Sequence, residues 1–155
     1  TCNSIAMIDA FPGMVDVLMP EIKSTIDRGI EVYLQVYEAV EVKGAKVVLI
    51  DRFAMVLEYW QSQQLNLIID GKEYLLALLS NNLEEVHQAT WSRNLYISSM
   101  LHMGFSYHYS IALIRELPEG VDYRQQVKKI LEEQNILSSG KVPGVSEMLN
   151  RFGLK

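Results

Sequence analysis

Hydrophobic and polar positions along the chain alternate between a period of two and a period near 3.6, and that switching predicts the elements. Ile5–Ile8 reads as a short buried strand ending at Asp9, with Phe11-Pro12-Gly13 as the turn after it. Val15, Leu18, Met19, Ile22 and Ile26 then line one helix face opposite Asp16, Glu21, Lys23 and Asp27. Pro20 predicts a kink or a fresh start within that helix, and Arg28-Gly29 closes it. Residues 30–37 set Ile30, Val32, Leu34 and Val36 against Glu31, Tyr33, Gln35 and Tyr37, a strand. Strand, helix, glycine, strand is a βαβ unit, so these two strands should run parallel.

Further on, residues 45–51 read as a third strand, and residues 52–60 suit a short helix or a strand equally. Leu65–Ile69 and Tyr74–Leu79 flank Asp70-Gly71-Lys72-Glu73, a hairpin with an Asp-Gly turn. A strand follows over Val86–Thr90. Ser92 is a good N-cap for a long helix that begins near Arg93 and ends before Pro118. Asp122–Asn135 and Val145–Phe152 are amphipathic helices separated by a loop at 138–144. The fold class is α/β: a mixed sheet flanked by helices, with a C-terminal helical extension. Residues 1–116 form the main unit and 117–155 the extension.

From Asn94 to Ile114 the chain has no Asp, Glu, Lys or Arg. Ser98, His102, Ser106 and Ser110 make one polar stripe on this helix, and Leu95, Met100, Met103, Tyr107, Ile111 and Ile114 are apolar. Its serines, histidines and tyrosines are poor content for a membrane core. The pattern predicts a soluble helix buried on most sides, and burial against a second copy would suit it.

Composition narrows the function. The 155 residues, 49% of them hydrophobic, suffice for one domain with a sizeable core. A net charge of −5 and scattered Lys and Arg argue against this chain itself gripping nucleic acid. The single cysteine, Cys2, excludes an internal disulfide and fits a cytoplasmic protein. His102 and His108 fall on different helix faces, and His87 has no ligand-like spacing to either, so no metal or cofactor is indicated. No Gly-rich phosphate cradle is present.

Three features in this order resemble a known family: the strand with an acidic-aromatic turn and a helix closing in "DRGIEV" (27–32), the hairpin "LNLIIDGKEYLLALL" (65–79), and "ATWSRNLYISSMLHMGF" (89–105). Over about residues 4–115 the chain resembles the phospholipase D-like fold, and more closely the C-terminal effector-binding domain of TrmB-type transcriptional regulators. The enzymes' signature is H-x-K-x-x-x-x-D. With its Asp on Asp70, Gln63 stands in place of the nucleophilic His and Leu65 in place of the anion-stabilising Lys. An amide is no nucleophile at neutral pH and a leucine holds no anion, so phosphodiesterase chemistry is not expected.

The resemblance therefore implies a non-catalytic domain that binds a small effector such as a sugar and forms a homodimer. It would act on DNA only through a winged helix-turn-helix in an N-terminal domain, and the abrupt entry from Thr1 into a strand suits a chain cut from something longer. Ligands of α/β sheets bind at the carboxyl ends of strands. The candidates there are Asp9, Phe11, Tyr37, Glu38, Trp91 and Ser92, with Gln63 and Asp70 bracketing the hairpin strand. Each has a plainer reading: Asp70 is what an Asp-Gly turn wants, Trp91 suits packing at a helix entry, and Asp9 and Glu38 suit solvated strand ends. A degenerate phosphodiesterase or another hydrolase, and a pure dimerisation domain, are the rival readings.

Overall fold

The computed structural model describes residues 2–50, 61–120, 122–137 and 139–153. The segment 52–60, with its open helix-or-strand reading, and Asp51 lie outside the described residues. Strands β1 (Ile5–Ala10), β2 (Glu31–Val36), β3 (Lys46–Leu49), β4 (Ser62–Ile69), β5 (Glu73–Ser80) and β6 (Val86–Ser92) form one sheet. Its order is β3-β2-β1-β4-β5-β6. The first three strands are mutually parallel, and β4, β5 and β6 join as an antiparallel meander beside β1. Helix α1 (Pro12–Asp27) returns the chain from β1 to β2. Helices α2 (Leu95–Arg115), α3 (Tyr123–Leu137) and α4 (Pro143–Phe152) follow the meander.

Strand alternation sends side chains to two cores. Ala6, Ile8, Val32, Leu34 and Leu65 pack with Met14, Val15 and Ile22 of α1. Ile5, Met7, Tyr33 and Ile68 pack on the opposite face with Phe105 and Tyr109 of α2. Leu137, Val142 and Val145 belong to this second cluster, so the C-terminal extension is packed against the sheet. Each buried aliphatic side chain of this kind contributes about 1.5–3 kcal/mol relative to leaving it exposed.

Several local expectations are refined. Strand β1 runs through Asp9 to Ala10, and α1 starts at Pro12 with Phe11 as N-cap, so no separate turn intervenes. The ring of Pro12 sits where a helix needs no N–H donor. Helix α1 continues past Pro20 without a new start. The cap of α2 is Asn94, whose side chain accepts from the Ile97 N–H at 3.0 Å. Ser92 is instead the last residue of β6, and its hydroxyl accepts from the Asn94 N–H at 3.2 Å.

Helix α2 is turned differently from expectation. Its serine and histidine stripe faces inward: Ser98, Ser99, His102 and Ser106 are fully buried. The short hydroxyls bond locally, Ser106 Oγ donating to the Met103 carbonyl and Ser110 Oγ to the Ser106 carbonyl, both at 2.9 Å. Ser99 Oγ instead donates to the Gly71 carbonyl of the hairpin turn at 3.4 Å. Met100, Tyr107 and Ile111 lie outward and exposed. Among the described residues, no helix is long and apolar enough to cross a membrane.

Candidate functional site

The carboxyl ends of β1 and β2 carry a polar cluster centred on Asp9. Asp9 shares a sheet face with Met7, so its side chain points toward the α2 side and away from α1. Its Oδ1 accepts from the Tyr37 hydroxyl at 2.9 Å, and its Oδ2 accepts from the amides of Asn66 at 2.9 Å and Gln64 at 3.3 Å. Burial pushes its carboxyl above the usual range, against the pull of those three donors and of nearby His108. Tyr37 is held firmly protonated by burial and by the Asp9 charge, which keeps it a donor. Phe11 packs edge-on against Tyr37, centroids 4.7 Å apart.

A second tier ties the cluster to α2. Gln35 is 1% exposed, and its Nε2 donates to the Phe105 carbonyl at 3.2 Å. Its Oε1 is therefore the acceptor for His108 Nδ1 at 2.9 Å, which fixes the proton on that nitrogen. Residues of β1, β2, β4 and α2 thus converge on one carboxylate. Asp9, Tyr37, Gln64, Asn66 and His108 all remain partly exposed, so a small polar molecule can reach them.

The sequence-predicted residues divide between the two ends of the sheet. Asp9, Phe11, Glu38 and Gln63 lie at the carboxyl end of β1 and β2, where Glu38 is exposed and Phe11 is buried as a wall behind Tyr37. Gln63 faces the other way from Gln64, its side chain against Gly13, and so does Leu65 in the α1 core. Asp70, Trp91 and Ser92 are at the opposite end, because β4 and β6 run antiparallel to β1 and β5. Seven residue steps along β4 separate Gln63 from Asp70, about 23 Å.

Asp70 itself is occupied by the fold. It is 3% exposed, and its carboxylate accepts from the N–H groups of Asn3 (2.9 Å), Ser4 (3.0 Å) and Ile5 (3.0 Å) and from the Ser4 hydroxyl (3.1 Å). Burial raises its pKa, but those hydrogen bonds outweigh burial and hold it below the usual carboxylate value. Its own N–H donates to the Ile5 carbonyl at 2.9 Å, and its carbonyl accepts from the Gly144 N–H at 2.7 Å. One residue clamps the start of β1, the hairpin turn and the start of α4. Beside it, burial and the Asp70 charge push the Cys2 thiol up to about 11, far from a ready nucleophile.

Trp91 is 61% exposed on edge strand β6, with the Arg93 guanidinium 5.3 Å from its ring centre. Arg93 also pairs with Glu73 at 3.0 Å. Two hollows sit at this far end of the sheet. One, of about 300 Å³, is bordered by Asp70, Lys72, Glu73, Arg93, Glu147 and Arg151. The other, of about 290 Å³, has Tyr33 and Tyr109 in T-shaped contact and Glu31, Lys46, Glu133 and Gln134 around them. Among the described residues, no three His, Cys, Asp or Glu side chains converge as a metal site requires.

Sequence reasoning missed Gln35, Gln64, Asn66 and His108. The signal was present for two of them: in β4 the polar Gln64 and Asn66 alternate with Leu65 and Leu67, which marks a second, polar face.

The arrangement of strands and helices has a counterpart among solved structures. The fold is similar to that of TrmBL2. That structure, described as one of an archaeal chromatin protein with a novel mode of DNA binding, matches 72% of this chain with a TM-score of 0.52 at 13% identity. The chain spans 45% of the TrmBL2 chain's length. The likeness is one of fold alone. No family model matches the chain, and no curated protein matches it.

Proposed function

We propose that this chain is the ligand-sensing and dimerisation domain of a TrmB-like transcriptional regulator, phospholipase D-like in fold and non-catalytic. The Asp9 cluster carries the reading. It sets a desolvated carboxylate among amide, phenol and imidazole groups at the end of a parallel strand pair, partly open to solvent. Such a set suits a small polyhydroxylated effector, with a sugar as the leading class: the carboxylate accepts from hydroxyls, and the amides of Gln64 and Asn66 donate to them. The effector class rests on this chemistry.

The fold likeness to TrmBL2, whose description includes DNA binding, supports a regulatory role. The chain's net charge of −5 argues against DNA contact by this chain itself, and in this reading that contact falls to a separate N-terminal domain. Ligand would act by favouring one dimer geometry over another, which requires different affinities for the two. Gln63 and Leu65, at the positions where the resembling enzymes use His and Lys, support a non-catalytic reading.

The test is thermal unfolding against a panel of sugars and phosphorylated metabolites, with wild type and Asp9→Asn. A ligand present at one hundred times its dissociation constant stabilises the protein by about 2.7 kcal/mol. A compound that stabilises wild type and not Asp9→Asn supports the site. Stabilisation that survives Asp9→Asn moves the effector elsewhere, the Tyr33–Tyr109 hollow being the next place to mutate. Turnover of a generic phosphodiester by the purified chain would overturn the non-catalytic reading.

A further inference from the structure

Helix α2 presents a feature that the isolated chain does not explain. Ile97, Met100, Gly104, Tyr107 and Ile111 recur at spacings of three and four, the heptad seam by which helices pair. The seam points away from the sheet: Ile97 is 41% exposed, Met100 47%, Tyr107 55% and Ile111 46%. Gly104 lies at its middle, one residue from the centre of the 21-residue helix. A glycine inside a helix is unfavourable by about 0.8–1 kcal/mol against alanine. Among the described residues nothing requires it, because a Cβ at position 104 would meet open space. A glycine kept at the centre of an exposed apolar seam fits a site where another backbone comes close.

We propose that α2 packs antiparallel against α2 of a second copy, the two helices crossing at Gly104. This rests on the dimeric reading above and assigns its surface. The seam is self-complementary about its centre, as a two-fold interface demands: Ile97 and Ile111 stand seven residues either side of Gly104, and the antiparallel arrangement sets each against the other. No charge interrupts it between Asn94 and Ile114; Arg93 and Arg115 bound it eleven residues either side of Gly104, and Glu73, 3.0 Å from Arg93, offsets the charge at that end. Tyr96, 62% exposed, and the four large seam residues present roughly 500 Å² of side chain. Flanking Met103 and Ile114 and the backbone at Gly104 bring this toward the ~600–800 Å² per partner of a specific interface.

The experiment is light scattering coupled to gel filtration on the 155-residue chain, with disulfide trapping. Cys2→Ser/Gly104→Cys is expected to oxidise to a covalent dimer, since two positions on the crossing axis come within disulfide reach. The control Cys2→Ser/Val17→Cys, exposed on α1, is expected to remain without a covalent cross-link under the same oxidant. Tyr107→Lys is expected to give a folded monomer where wild type is a dimer, with unchanged far-ultraviolet circular dichroism. A dimer whose mass is unaffected by Tyr107→Lys, with no trapping through position 104, overturns this interface and leaves the dimer standing on another surface. A wild-type monomer at hundreds of micromolar overturns both.

Discussion

Replacing Asp70 with Asn tests whether the aspartate of the hairpin is an architectural clamp. The substitution keeps shape but removes the charge and sets an NH₂ group among N–H donors. Hydrogen bonds to a charged group are worth about 1.5–3 kcal/mol each. Residues before Ile5 can retreat into water, so only the Ile5 N–H bond and about one more are lost outright. The expected loss is therefore about 3 kcal/mol at pH 7. With a urea slope of about 2 kcal/mol/M, the midpoint should fall by about 1.5 M.

The sign of the pH dependence follows from the lowered pKa of Asp70. Its folded value lies below the unfolded value of about 3.9, so its contribution is complete above that value and is lost as pH falls through the folded one. Urea melts of wild type and Asp70→Asn, followed by circular dichroism, should show a full gap from pH 7 down to about pH 4 that narrows as the pH falls further. A midpoint shift under 0.5 M at pH 7, or a gap that persists unchanged in acid, would refute the clamp.

Two other perturbations are as direct. Gly144→Ala would drive a methyl group into the carbonyl of Gly71 and break the Gly144–Asp70 hydrogen bond, with a loss of at least about 3 kcal/mol in denaturant melts. A cost under 1 kcal/mol would show that this close approach yields easily. His102 is fully buried, its Nε2 donating to the Leu137 carbonyl at 2.8 Å, and burial lowers its pKa. Its neutral form thus stabilises the fold above the unfolded value of about 6.5, and that stabilisation is lost as pH falls toward the folded value. Stability should drop between pH 7 and 5 by up to about 1.4 kcal/mol per unit, and His102→Gln should flatten the slope. An unchanged slope in that variant would move the titration to another group.

Local order in this molecule is legible in the sequence; relations between elements are less so. The βαβ unit and the Asp-Gly hairpin emerge from periodicity and turn chemistry, which are short-range. Periodicity does not encode strand direction. The reversal of β6 therefore separated Trp91 and Ser92 from Asp9, although all three sit near strand ends. In β2 the alternation of Leu34 with Gln35 is visible, but polar Gln35 looks like a solvent face until α2 covers it. The Asp9 cluster draws on residues up to 99 positions apart, His108 being the farthest from Asp9, and no local pattern announces such a meeting. The inward serines of α2 invert the usual rule: Ser106 and Ser110 bond to their own helix and Ser99 donates to the Gly71 carbonyl of the hairpin turn.

The meander also carries a timetable. Strands β4, β5 and β6 are joined by connections at 70–72 and 81–85, and hairpins of this kind close in about 1–10 μs once synthesised. Strand β1 has no such neighbour at hand: the bond between Asp9 and Asn66 spans 57 positions. On a ribosome adding about 5–20 residues per second, β1 waits roughly 3–12 s for the strand that will cover its open edge. Throughout that wait Ile5–Ile8, destined for the centre of the sheet, can pair with β2 on one side only and keeps an open apolar edge on the other. The interval is when a nascent copy is most open to a chaperone, or to the wrong strand of its neighbour on the same message.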